Sequence, residues 1–155
     1  MIIDSGKYKG ISVGMVILKN PDYVAQVLDE NDAQGQLSRI QIEMKRLISI
    51  FDSKPFNKNC RGSHCSRPAA KFTVYEDNIY NLYWWCDIHN PYESGASPAT
   101  LTEIRTYEEA LVHVKWALKG RKADYAYLIK AMAQAKGLPK RVGEDQVNIF
   151  LGFIM

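Results

Sequence analysis

No stretch of this sequence holds the roughly 18 consecutive apolar residues that a membrane-spanning helix needs. The opening Met1-Ile2-Ile3-Asp4 lacks the basic and apolar segments of a secretory signal, so no leader is expected. Cysteine is scarce: three residues, an odd number that a secreted disulfide framework would not use. A reducing, cytoplasmic setting fits better. Long Pro, Gly, Ser or Gln tracts are missing, which speaks against wholesale disorder. Internal repeats of solenoid length are missing too. There is also no Gly-rich phosphate loop, nucleophile elbow or dinucleotide fingerprint.

What is present suits one domain or two very small ones: 155 residues, 46% hydrophobic and 24% charged. The net charge of +3 is mild but unevenly spread. Residues 1–53 are close to neutral, with six basic residues against seven acids. Residues 54–71 carry Lys54, Lys58, Arg61, Arg67 and Lys71 and no acid. Residues 112–142 set eight basic side chains against Asp124 alone. Such segments can track a phosphate backbone, although a lysine-rich helix face is also simply a well-solvated one.

Local signals predict the elements. Gly6 and Gly10 bracket a turn carrying Lys7, Tyr8 and Lys9. Ser12 is placed to cap a short helix that ends before Pro21, and Pro21 suits the first turn of the next. Leu37, Ile40, Met44, Leu47, Ile48 and Phe51 recur at spacings of three and four, one face of a helix. Residues 54–69 read as a loop. Lys71–Tyr75 and Tyr80–Trp85 are aromatic and β-branched, with Glu76-Asp77-Asn78 between them, and predict a β-hairpin. Residues 90–103 read as another loop. Thr106 and Glu109 form a capping-box pair for a helix ending near Gly120. A second helix is expected over about 123–136 and a third from about Glu144. The apolar end, Ile149 to Met155, either closes the core or makes a homodimer contact. The expected class is α+β: a helical module over 1–53, a zinc-bound β-hairpin over 54–95, and a helical region over 96–155.

The chemistry sits in the middle. Cys60 and Cys65 are separated by four residues, twenty residues then lead to Cys86, and two more to His89. Three thiolates and an imidazole are a zinc ligand set, and a hairpin between two chelating pairs brings them together. Lys58 and Arg61 would offset the thiolate charge. The first gap is wider than the commoner two, and His64 competes with Cys65 or His89 as a ligand. Free or buried thiols are the alternative. Four protein ligands leave no open position, so the zinc is expected to be structural rather than catalytic.

Two resemblances follow from these residues. Cys60, Cys65, Pro68-Ala69, the aromatic hairpin and Cys86-Asp87-Ile88-His89 resemble a small Cys3His zinc finger of bacterial and phage proteins, which implies metal binding but no particular target. Gly6-Lys7-Tyr8-Lys9-Gly10, with Asn20-Pro21-Asp22-Tyr23-Val24, resembles the C-terminal accessory module of exodeoxyribonuclease X-type exonucleases. That likeness covers residues 4 to about 52 and implies an accessory part in nucleic-acid handling. The acidic residues of the nuclease itself have no counterpart here.

The expectation is therefore a non-catalytic zinc-binding accessory protein that binds nucleic acid, with DNA the leading partner. Lys7, Tyr8, Lys9, Arg61, Arg67 and Lys71 are its expected contacts, through phosphate and base stacking. The alternative is a protein-interaction adaptor or an inhibitor of a host protein. A nuclease of the His-Asn-His type, suggested by His89-Asn90, would need His89 free of metal.

Overall fold

Six helices and three strands make up the computed structural model, which describes residues 1–62, 64–76, 78–89 and 101–152. The N-terminal part contributes α1 (Val13–Lys19), α2 (Pro21–Asp29) and α3 (Gln36–Ser53). Ser12 caps α1 as expected, its hydroxyl accepting the Met15 amide at 3.1 Å. The same hydroxyl reaches the Glu144 carboxylate at 3.0 Å, tying the start of the chain to its last helix. Pro21 opens α2, where its missing N–H leaves nothing unpaired. On α3, Ile40, Met44, Leu47, Ile48 and Phe51 are buried, the stripe that the periodicity predicts.

The sheet has three strands in the order β2-β1-β3, all antiparallel: β1 (Lys71–Tyr75), β2 (Tyr83–Trp85) and β3 (Leu101–Ile104). The hairpin is real, but its second strand is shorter than expected. Tyr80, Asn81 and Leu82 stay outside the ladder, and the Asn78 side chain instead accepts the Tyr80 amide at 3.0 Å. The loop expected over 90–103 needs a correction at its end. Leu101–Glu103 belong to β3, paired with β1 from Phe72↔Ile104 to Tyr75↔Leu101. Its earlier part, with Pro91, Gly95 and Pro98, lies outside the described residues. With partners on both sides, β1 is the central strand and Lys71–Val74 are all buried.

After the sheet come α4 (Tyr107–Ala117), α5 (Lys122–Ala135) and α6 (Glu144–Phe150). Thr106 and Glu109 form the expected capping box at the start of α4. One hydrophobic cluster takes residues from both ends of the chain and from the sheet, among them Ile17, Phe51, Phe72, Tyr107, Leu128 and Phe150. Phe150 and Leu151 are buried in it, whereas the end of the apolar tail, including Ile154, lies outside the described residues.

Lys136, just after α5, is buried against the end of α3. Its ammonium donates to the carbonyls of Phe51 at 2.8 Å and Lys54 at 2.7 Å, and lies 4.8 and 4.5 Å from the Phe51 and Phe56 rings. A cation at a helix C-terminus is electrostatically favoured. Even so, burial brings its pKa down to about 8, against the opposing pull of Asp52. The native chain therefore gives up this proton near pH 8, while the unfolded chain keeps it to the ordinary lysine range. Across that window the unfolded state binds more protons, so the contribution to stability rises with pH. Urea denaturation at pH 7 and pH 9.5 is expected to show the wild type gaining about 1–2 kcal/mol on Lys136→Met, allowing for the solvent that partly screens this site. A pH-independent difference would rule out the buried cation.

Candidate metal centre

The chain between α3 and β1 folds back on itself. The Ala69 amide donates to the Lys58 carbonyl at 2.8 Å and the Cys60 amide to Arg67 at 2.9 Å. This loop is laced to β2, with Arg61 donating to the Trp84 carbonyl at 2.9 Å and Ala70 to Trp85 at 2.8 Å. Cys60 and Cys65 are thereby held beside the end of β2, where Cys86 follows Trp85 directly. One ligand atom from each of Cys60, Cys65, Cys86 and His89 lies within 4.8 Å of the others. No disulfide joins them. The Cys65 and Cys86 sulfurs are 4.0 Å apart, and His89 Nδ1 is 3.3 Å from the sulfurs of both Cys60 and Cys86. A tetrahedral Cys3His metal site has edges of roughly 3.5–3.8 Å, from metal–sulfur and metal–nitrogen bonds of about 2.3 and 2.0 Å. The group is a candidate metal site, these three separations lying within about half an ångström of those edges. His64 is exposed and stands outside it.

Backbone amides converge on the sulfurs. Gly62 N–H donates to Cys60 at 3.3 Å. Cys65 receives the Arg67 amide, which favours its thiolate, but burial and the Cys60 and Cys86 sulfurs leave the thiol raised. For Cys86, burial pushes the thiol up, and the His89 and Ile88 amides with the His89 ring more than offset it, giving a pKa of about 6. Donors held this way suit anionic sulfur, the form that binds metal. Gly62 has a further role that sequence reading missed: a Cβ there would meet the His89 ring at 2.9–3.0 Å, so only a glycine lets the imidazole lie this close.

A small satellite core backs the centre, made of Cys60, Trp85 and Cys86 with Cys65 and Tyr83 against it. Inside the sheet, Trp85 Nε1 donates to Thr73 Oγ1 at 3.0 Å, fixing the indole beside the ligands. Trp84 faces the other way, tilted against Phe56 and Phe72 in the main core. The alternation of a strand puts these two neighbours to separate uses.

The expected nucleic-acid contacts divide. Lys7, Lys9, Arg61 and Arg67 are exposed. Arg61 lies over the Tyr83 ring at 4.2 Å. Two expectations need correcting. Tyr8 is buried, 7% exposed, and packs on Tyr23 at 4.7 Å between ring centroids, so it offers no face to a base. Lys71 is also buried, because β1 is central, and its ammonium is paired with Glu103 at 2.8 Å.

Part of the basic stretch over residues 112–142 gathers, with Lys19, around a surface cleft that the sequence did not outline. A cleft of about 530 Å³ between the end of α1, α5 and the segment after it is lined by Lys19, Lys130, Lys140 and Arg141 over Leu18, Leu138 and Val142, with no acidic residue. None of these four cations has an ion-pair partner among the described residues. Among the described residues, no helix is long and apolar enough to cross a membrane. In comparison with known proteins, the chain matches no family model, no curated protein and no solved structure.

Proposed function

We propose that the chain is a non-catalytic zinc protein that binds nucleic acid, with zinc as the structural metal of the Cys60, Cys65, Cys86 and His89 site. The donor set supports zinc: three cysteine sulfurs and an imidazole nitrogen within 4.8 Å of one another, backed by buried aromatic and thiol side chains. The four side chains use up a tetrahedral metal's positions, which argues for structure over catalysis. A His-Asn-His nuclease would need His89 as a base, yet its Nδ1 already faces two sulfurs at 3.3 Å.

The observation that carries the nucleic-acid reading is the acid-free cleft of Lys19, Lys130, Lys140 and Arg141. Cations unpaired with protein acids release counterions from a phosphate backbone when they bind it. Lys58, Arg61 and Arg67 around the metal loop, and Lys7 and Lys9 on the Gly6–Gly10 turn, add exposed positive charge. The cleft has no aromatic lining, so it would grip backbone rather than stack bases.

The test is an anisotropy titration with single-stranded DNA, double-stranded DNA and RNA oligonucleotides over a range of salt. Affinity is expected to fall linearly on a log–log plot against salt. Lys130→Glu with Arg141→Glu should weaken binding at least about tenfold at low salt and flatten the slope by about two. No detectable binding to any of the three at low salt would end this reading. The adaptor reading has one observation in its favour, the exposure of Trp116 on α4.

A further inference from the structure

Helix α4 turns Tyr107, Ala110, Leu111, His113 and Val114 into the protein. Its outer side carries Glu108, Val112 and Trp116, spaced by four and so stacked along one stripe. Trp116 is 77% exposed and Val112 55%. A tryptophan left this open forgoes one of the largest apolar burials any side chain can make, and such residues concentrate the binding energy of protein interfaces.

The stripe forms one wall of a cleft of about 670 Å³, whose other lining residues include Glu76, Glu103, Glu109 and His113. Four glutamates line it and no lysine or arginine does. Glu103 is held by Lys71, and Glu109 caps the helix. Glu76 and Glu108 have no ion-pair partner among the described residues. His113 adds an independent sign. It is 5% exposed, its ring hydrogen-bonds the Tyr75 backbone, and its Nε2 is buried with no partner. A buried polar atom without a partner is costly. Burial holds this imidazole below the usual histidine range, against Glu76 and the Tyr75 carbonyl, so at neutral pH its free nitrogen accepts rather than donates. Lys115 lies on the side of the stripe that faces the neighbouring cleft, where it pairs with Asp29 at 2.8 Å. Its ammonium sits 5.3 Å from the Trp116 ring centroid, so an incoming cation would use the ring's opposite face.

Carboxylates, an imidazole acceptor and an indole ring together call for a cationic N–H donor. We infer that this cleft docks a basic segment of a protein partner, with an arginine or lysine side chain entering between Glu76 and Glu108 and packing on Trp116. The surrounding Val112 and Ala117 give the segment's apolar atoms a surface. Guanidinium and ammonium groups are drawn to both carboxylate and indole, which explains why the two occur together here. This docking does not rest on nucleic-acid binding: the basic cleft and this one share no lining residue.

The experiment titrates the metal-loaded protein at low ionic strength with a short acetylated, amidated peptide of alternating arginine and glycine. Tryptophan fluorescence and calorimetry follow binding, with a peptide carrying glutamate for arginine as control. Saturable binding of the arginine peptide alone is expected. Trp116→Ala and the pair Glu76→Lys with Glu108→Lys should each weaken it at least about tenfold, while thermal midpoints and the nucleic-acid titration stay in place. Three outcomes would overturn the inference: no saturable binding, equal binding of the glutamate peptide, or variants that bind as the wild type does. A fourth would as well: loss of self-association in Trp116→Ala with no peptide binding, which would give the stripe to a second copy of the chain.

Discussion

Replacing Cys86 with serine is expected to take the metal content from about one ion per chain to near zero after dialysis against a chelator. Zinc bound as proposed would contribute on the order of 10 kcal/mol to the fold of the segment it holds, because no preformed site exists in the unfolded chain. Replacing Cys86, which follows β2, also removes a member of the small core with Cys60 and Trp85. The expected damage is local and severe. Hydrogen exchange should speed up at Cys60, Arg61 and Ala70, whose amides hold the loop to itself and to β2. Trp85 emission should shift to the red. Helical circular dichroism should change little, because the main cluster draws nothing from Cys60, Trp85 or Cys86. A serine variant that keeps one ion per chain and native exchange would remove Cys86 from the ligand set.

Tyr107→Ala should do the opposite and destabilise the whole chain, by about 3–5 kcal/mol in denaturant titration, the range for deleting a large buried aromatic ring. Tyr107 is completely buried and joins regions far apart in sequence. Its hydroxyl donates to the Ile17 carbonyl at 2.7 Å, its amide to Asp52 at 2.8 Å, and its ring meets Phe51 edge-on at 5.3 Å. Burial raises the phenol well above its ordinary pKa, with Asp22 and Asp52 adding to the rise, so the hydroxyl stays a donor through the neutral range. Loss of the ring opens a cavity where α4 meets α1 and α3, and leaves the Ile17 carbonyl without this partner. Helical signal and core fluorescence should then melt in one shifted transition. Separate transitions for residues 1–53 and the C-terminal helices would show that Tyr107 does not join them.

The parts of the fold that local chemistry determines were readable. As caps and helix starts, Ser12, Pro21 and the Thr106–Glu109 pair act within three or four residues of themselves, so those roles follow from spacing alone, whereas the reach of Ser12 to Glu144 does not. The stripe on α3 is similarly local. β3 was not readable, because Leu101-Thr102-Glu103-Ile104 becomes a strand by pairing with β1 about thirty residues earlier in the chain. Once β3 is in place β1 is central, and so Lys71 is buried. Tyr8 was misread for a related reason: an aromatic on a tight turn looks exposed until Tyr23 is brought against it. The candidate metal site was the most legible feature, since its donors are rare residue types in paired clusters. Gly62 left no such trace. Val112 and Trp116 did leave one, as apolar residues outside the three-and-four spacing of Tyr107, Ala110, Leu111 and Val114, but that spacing does not say what the outer face is for.

The contact between Gly62 and His89 also limits how this loop can vary. Every side chain other than glycine's begins with the carbon that would strike the imidazole, and the strike falls on a ring already held between two sulfurs. Size and polarity therefore offer no escape. A saturation library selected for metal retention should return glycine at this codon and a broad spread at exposed neighbours such as Arg61 and Ser66.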